Sequence, residues 1–138
     1  MKVAGHSPGN LIGLVKKDKT LFSSDSLGFH YSGRGFCPLF FTSADAYVST
    51  IDLIWSFDPQ IICPAHQGPL IASNASQGLQ DTRDITLSTI RRIKETSLSD
   101  GKLAQEMFNE SYRDEFTLYT KENIQNCMQL LIKRARET

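Results

Sequence analysis

The pattern of apolar and polar positions divides the chain into a part rich in short strands and a helical part. Residues 11–15, Leu-Ile-Gly-Leu-Val, are apolar at successive positions, which is typical of a central strand covered on both faces. The polar run 16–19 predicts a turn, and residues 20–23 predict a second strand that returns as a hairpin. Residues 60–63 are another short, largely apolar run and predict a further strand.

A first helix is predicted over residues 43–57, with Thr42 or Ser43 as its N-cap and Asp58 and Pro59 as its stop. Apolar side chains recur along it at i, i+4, i+7 and i+8, so they share one helical face. These residues are Tyr47, Ile51, Ile54 and Trp55. The stripe indicates packing against a core rather than a cofactor-binding segment.

Three more helices are predicted in the C-terminal half, after a small polar linker at residues 73–78. Their candidate caps or first residues are Asp81 or Thr82, Ser99 or Asp100, and Thr120. Together the elements predict an α/β chain of the layered α+β kind. Residues 1–72 would form a small mixed or antiparallel sheet with the 43–57 helix on one face, and residues 73–138 a helical segment packed on it.

The connection between residues 26 and 42 is rich in glycine and shows no sustained period. Connections of this length in compact domains are usually functional or mobile. The segment carries His30, which is therefore a candidate substrate contact. The alternative is a surface histidine in a flexible loop.

Composition narrows the classes of partner. The 138 residues include 15 Lys and Arg and 15 Asp and Glu, so the formal net charge is zero and neither nucleic acid nor an anionic membrane is an expected partner. No apolar run approaches the roughly 20 residues of a membrane span, and no signal-peptide layout opens the chain, so the cytoplasm is the expected location. The three cysteines lack CxxC spacing, which favours reduced thiols.

Candidate chemistry lies in three short islands, at residues 5–9, 24–25 and 64–66. They contain His6, Asp25 and His66, and each lies where a short apolar run gives way to small or turn-forming residues. Loops at strand ends commonly display functional groups. Imidazole and carboxylate are the usual ligands of zinc and also suit iron or manganese, so these three residues are the candidate metal ligands.

The order of these islands resembles the C-terminal half of a metallo-β-lactamase-fold hydrolase, over residues 2–70. The resemblance rests on Gly-His-Ser-Pro-Gly, then Ser-Ser-Asp, then Pro-Ala-His-Gln-Gly. It implies that the chain is half of an αββα sandwich. It also implies that His6 binds a first metal, that His66 binds a second, and that Asp25 bridges both and acts in catalysis by holding the nucleophile.

The chain departs from the family pattern at three points. Ser24 and Ala65 stand where the family usually has glycine, and both are small changes. The third departure is larger, because the family's His-x-His-x-Asp-His motif is absent and the chain holds only three histidines. We therefore expect a partial or truncated chain that supplies three ligands at most and binds zinc, iron or manganese weakly or not at all when isolated.

The function implied by the resemblance is metal-dependent hydrolysis of a small-molecule ester, thioester, amide or phosphodiester. The alternative is a non-catalytic metal-binding or association module derived from the same fold. A third possibility is a plain α/β domain in which the islands are ordinary strand ends and turns.

Partner expectations follow from the missing half. A half-sandwich alone leaves an apolar sheet face in water, and such faces on soluble proteins mark interfaces. We expect a homodimer that pairs sheet to sheet, with the missing N-terminal half or the chain's own C-terminal helices as the other possible cover. The C-terminal helices would serve as a lid over the site or as a dimer surface.

Overall fold

The computed structural model describes residues 1–31, 35–66 and 68–138. Part of the predicted 26–42 connection, and Gln67 directly after the third island, therefore lie outside the described residues. The strands are β1 (Gly13–Val15), β2 (Thr20–Ser24), β3 (Phe29–Tyr31), β4 (Gly35–Cys37), β5 (Ile61–Pro64) and β6 (Leu70–Ile71). The helices are α1 (Ala44–Ser56), α2 (Ser73–Glu95), α3 (Asp100–Ser111) and α4 (Lys121–Arg136). The chain is thus a mixed α/β protein of the α+β kind, as predicted.

A mixed four-stranded sheet in the order β1-β2-β5-β6 organises the N-terminal part. β1 pairs antiparallel with β2, β2 runs parallel to β5, and β5 pairs antiparallel with β6. The parallel pair is possible because α1 lies between β2 and β5 in the sequence and returns the chain to the same end of the sheet. The predicted hairpin, with its turn at residues 16–19, is confirmed.

The prediction of a doubly covered central strand at residues 11–15 is wrong. β1 lies at the edge of the sheet, and residues 11–15 alternate between more exposed and more buried side chains. Leu11 is 61% exposed and Val15 46% exposed, whereas Ile12 is 3% exposed. The side chains of Leu11 and Val15 point outward and stay largely exposed, so the uninterrupted apolar run arises from an open face rather than from burial on both sides.

The other face of the sheet is the core face. Leu21 and Ile62 are fully buried in one cluster with Tyr47 and Ile51 of α1. The Ser43 hydroxyl accepts a hydrogen bond from the Ala46 N–H at 3.2 Å, which confirms the predicted N-cap. Of the predicted stripe only Trp55 stays outside the core, at 39% exposed.

The predicted linker at residues 73–78 is wrong, because α2 already begins at Ser73. Ala75 and Leu79 are buried in the first two turns, so packing against the sheet stabilises helix in a segment of weak helix formers. Gly78 lies so close to β6 that a Cβ there would come within 2.6 Å of the Leu70 side chain. Asp81 and Thr82 therefore lie inside α2 rather than at its start.

Two short strands in the 26–42 connection were missed. β3 and β4 form a separate antiparallel hairpin in which Phe29 pairs with Cys37. Each strand has three residues, which is too short for an alternating pattern to stand out.

The last two helices agree with the sequence. α3 begins at Asp100, and α4 is capped by the Thr120 hydroxyl, which accepts a hydrogen bond from the Asn123 N–H at 3.2 Å. Leu103, Met128 and Leu131 join the same core as the sheet. None of the helices in the described part of the chain combines the length and the apolar character needed to cross a membrane.

Candidate functional site

Two of the three candidate ligands follow neighbouring parallel strands. Ser24 of β2 is in register with Pro64 of β5, so the carboxyl ends of the two strands meet. Asp25 comes directly after β2, and His66 comes two residues after β5. Loops beyond the carboxyl ends of adjacent parallel strands are common positions for ligand-binding groups.

The loop that carries His6 is fixed against the start of α1. The Gly5 carbonyl accepts a hydrogen bond from the Thr42 N–H at 2.8 Å. Gly5 has φ +109°, and a Cβ at this position would collide with the backbone of Tyr47. Only glycine allows this close approach, and the approach places His6 beside the ends of β2 and β5.

A buried polar pair ties the His6 loop to the turn that begins at Asp25. The Asn10 side-chain N–H donates to the Ser26 hydroxyl at 2.6 Å. Asn10 is 6% exposed and Ser26 is 1% exposed. Sequence reasoning missed this pair, since two polar residues in separate loops give no signal of their contact.

Asp25 lies between the two imidazoles. Its Oδ2 is 3.7 Å from Nε2 of His6, and its Oδ1 is 3.2 Å from Nε2 of His66. The side chains of His6, Asp25 and His66 are 16%, 28% and 33% exposed, so the cluster is partly buried yet reachable from solvent. Each carboxylate oxygen faces a different histidine.

The ring orientation of His6 is set by the backbone. Its Nδ1 lies 2.7 Å from the carbonyl oxygen of Leu39, which can only accept a hydrogen bond, so Nδ1 carries the proton. In neutral His6 the lone pair of Nε2 then points towards the Asp25 carboxylate. Two acceptors facing each other repel, so the pair is satisfied by a proton on Nε2 or by a cation between the two groups. Donation of the second ring nitrogen to a carbonyl is the usual arrangement for metal-binding histidines.

The donor set fits a metal as two pairs. Ligands bound at about 2.0–2.2 Å to tetrahedral zinc lie about 3.3 Å apart, close to the separations on either side of Asp25. Within residues 1–31, 35–66 and 68–138, however, no group of three His, Cys, Asp or Glu side chains could hold one ion. The residues therefore fit a shared carboxylate with one imidazole on each side, and not a closed three-ligand site.

The cluster opens into a pocket of about 170 Å³. One wall comes from the sheet and its loops, and the other comes from the C-terminal part of the chain. The lining residues are His6, Asp25, Phe29, Leu39, Phe41, His66, Phe116, Tyr119, Asn123, Ile124 and Cys127. The C-terminal segment thus lies beside the predicted ligands, in the lid position that was one of its two expected roles.

Aromatic contacts hold the two imidazoles in the pocket wall. The His66 ring packs on Phe29 with centroids 4.9 Å apart, and Phe29 in turn contacts Phe116 at 4.4 Å. His6 packs on Phe41 at 5.2 Å. The rings restrict both histidines to the side of the pocket that faces Asp25.

His30, the candidate substrate contact, lies outside this pocket. It follows Phe29 in β3 and therefore faces the other side of the strand, where its ring packs on Phe36 with centroids 3.5 Å apart. Burial lowers the pKa of His30, and the nearby carboxylate of Asp81 opposes this effect. Its surroundings are those of a packed histidine at the hairpin.

Cys127 is a pocket residue that received no role from the sequence. Its thiol lies 3.9 Å from the Asn123 side-chain oxygen, and burial raises its pKa, so it remains a neutral thiol at physiological pH.

No protein-family model matches the chain, and no curated protein matches its sequence.

Proposed function

We propose that His6, Asp25 and His66 are the metal-binding groups of a hydrolase of the metallo-β-lactamase superfamily. Residues 1–72 would correspond to the C-terminal half of its αββα sandwich. The observation that carries the proposal is the position of Asp25, whose two oxygens face two different imidazoles at the ends of two parallel strands. This is the arrangement expected of a carboxylate shared by two cation positions.

The backbone at Ser24 gives independent support. Ser24 has φ +50°, a conformation that glycine adopts far more readily than other residues. It stands at the position where the resembled family usually carries glycine. The same backbone requirement before the aspartate would explain both the family's glycine and the strained serine.

The roles of the residues follow from their contacts. His6 and His66 would each offer Nε2, and the Leu39 carbonyl would keep the His6 ring in the tautomer that can bind. When bound, zinc, iron or manganese would supply a water of lowered pKa and polarise the bond to be cleaved. Asp25 would hold the two positions together, and the aromatic wall would exclude bulk water.

The remaining ligands would come from another polypeptide segment. The chain has three histidines in all, and the resembled family's first motif is absent from it. We expect zinc affinity well below that of a complete centre, because affinity depends on the full ligand set and on its orientation.

Zinc titration by isothermal calorimetry, with metal counted after gel filtration, tests the proposal. The wild-type chain is expected to bind zinc, and His6→Gln and His66→Gln each to weaken binding by at least tenfold. His30→Gln is the matched control, since His30 lies outside the pocket, and it should bind as the wild type does. Equal binding by all four proteins would overturn the assignment.

A second candidate, an association module, is favoured by the open face of the sheet. The outer sheet face is defined by side chains that share one side of the four strands. Its members are Leu11, Val15, Thr20, Phe22, Ile61, Cys63 and Ile71. Phe22 is 52% and Ile71 is 55% exposed, so the C-terminal helices do not cover this face.

We propose a second copy of the chain as the occupant of the outer sheet face. A two-fold interface sets a surface against itself, so like charges close to the axis would face each other and repel. The centre of the outer sheet face carries no charge, since Phe22, Ile61, Cys63 and Ile71 are uncharged, and Lys2, opposite Leu11, lies at its edge. Burial contributes roughly 25 cal/mol per Å², so each 100 Å² of apolar surface removed from water contributes about 2.5 kcal/mol towards offsetting the entropic cost of association.

A further inference from the structure

The pocket beside Asp25 has a size and a wall chemistry that restrict what it can hold. Its volume is about 170 Å³, close to the roughly 150 Å³ apolar cavity that takes up one benzene molecule. Four of the eight lining residues outside the cluster are aromatic. They are Phe29, Phe41, Phe116 and Tyr119.

Charge in the pocket is confined to the cluster itself. Among the described residues that line it, Asp25 is the one carboxylate, and none is Lys or Arg. A phosphate group is usually held by cationic side chains or by several N–H donors, since its oxygens remain charged throughout the reaction. The wall offers such a group no cation of its own.

We infer that the pocket takes a small uncharged acyl or aryl group, of about the size of one benzene ring, with the adjoining ester, thioester or amide bond directed at Asp25. The inference rests on the proposed function and narrows it to carbonyl substrates, excluding phosphodiesters. The aromatic wall would bury the apolar group, while the partly exposed side of the cluster would leave room for the leaving group.

α4 provides a matched pair of positions for the test. Asn123 lines the pocket, whereas Asn126, three residues later on the same helix, lines a depression on the outer surface. Both are exposed, so replacement by phenylalanine is expected to leave the fold intact at either position. Asn123→Phe would fill the pocket, and Asn126→Phe would not.

The experiment measures binding of benzamide by chemical-shift perturbation in the ¹⁵N-labelled chain, with and without zinc. Benzamide is neutral and resists hydrolysis, so the readout does not depend on activity. Binding with roughly millimolar affinity is expected for the wild type and for Asn126→Phe, as is usual for so small a ligand. Asn123→Phe should weaken benzamide binding at least tenfold. Cys127→Leu, which narrows the pocket from the next turn, should weaken it as well.

Three results would overturn the inference. The first is that benzamide causes no chemical-shift changes. The second is that Asn123→Phe leaves these changes unaffected. The third is that, with zinc present, phenyl phosphate binds more tightly than benzamide. The zinc titration separates this failure from failure of the proposed function. If the chain binds zinc but prefers phenyl phosphate, the metal-site assignment stands and the inference of a carbonyl substrate fails. If the chain binds benzamide but no zinc, the pocket assignment stands and the metal-site assignment fails.

Discussion

Asp25 and His66 follow neighbouring parallel strands, and the Asp25 carboxylate oxygen Oδ1 lies 3.2 Å from Nε2 of His66. His6 approaches the other oxygen from a separate loop. The aspartate is therefore the common element of two pairs. We therefore expect zinc binding to depend on Asp25 more than on either histidine.

The shared position of Asp25 predicts which substitution in the cluster weakens zinc binding most. Asp25→Asn should weaken zinc binding more than His6→Gln or His66→Gln does, because it removes the charge that both pairs share. Calorimetric titration of the three variants measures the order. Asp58→Asn is a suitable control, since the Asp58 side chain is 74% exposed and pairs with Lys19 away from the site. A larger loss from either histidine variant would contradict the shared-carboxylate geometry.

The buried Asn10–Ser26 hydrogen bond should matter for both stability and the site. Asn10→Ala leaves the Ser26 hydroxyl buried without its donor, at an expected cost of about 1–3 kcal/mol in the free energy of unfolding. Urea unfolding measures the loss. Ser26→Ala and the double variant complete a cycle, in which the two losses should not add. Additive losses would show that the pair is not coupled.

Strain at Ser24 predicts a stabilising substitution. Ser24→Gly should raise the free energy of unfolding by about 1 kcal/mol, because glycine adopts φ +50° without the steric penalty of a Cβ. Ser23→Gly, one residue earlier in the interior of β2, should instead destabilise the chain. Urea unfolding of both variants decides the matter, and a loss of stability in Ser24→Gly would argue against strain at this position.

The outer sheet face should control assembly. Light scattering after size exclusion, at micromolar concentration, is expected to find a dimer for the wild type and a monomer for Phe22→Asp, since a charge in the middle of a two-fold apolar interface faces its own copy. Leu118→Asp is the control, because Leu118 is 85% exposed and lies outside the sheet. A monomeric wild type would contradict the homodimer, so another polypeptide would have to cover the outer sheet face. A Phe22→Asp variant that is still dimeric would show that the dimer interface lies elsewhere.

Alkaline pH should destabilise the fold. Burial raises the pKa of Cys37 to about 12 and that of Tyr47 far above its ordinary value. The folded state therefore keeps protons that the unfolded chain releases near pH 8.5 for the thiol and near pH 10 for the phenol. This stability is fully present below those values and is lost as the pH rises above them, by about 1.4 kcal/mol per pH unit for each group. Urea unfolding between pH 7 and 11 should show the decline, and Tyr47→Phe should decline less steeply above pH 10. Equal slopes would contradict the effect of burial.

Local patterns were sufficient where the local signal was strong. The Ser43 and Thr120 caps and the stripe at Tyr47, Ile51 and Ile54 specify α1 and the start of α4, because capping and helical spacing act between residues a few positions apart. The hairpin of β1 and β2 was readable from its polar turn for the same reason. The order of His6, Asp25 and His66 marked the three loops that meet at the sheet edge.

Tertiary structure decided what depends on distant contacts. The start of α2 at Ser73 rests on packing of Ala75 and Gly78 against the sheet, which overrides the weak helix propensity of that segment. The placement of β1 at an open edge follows from strand order. A run of apolar residues has the same sequence pattern whether a second layer covers it or one face is exposed, so the sequence could not distinguish the two. The Asn10–Ser26 pair and the wall that α4 lends to the pocket join residues far apart in the chain. The sequence by itself determined α1, α3, α4, the β1–β2 hairpin and the identity of the candidate ligands, since these depend on neighbours along the chain. Only the folded chain decided which of those groups face one another, because that depends on the three-dimensional path between them.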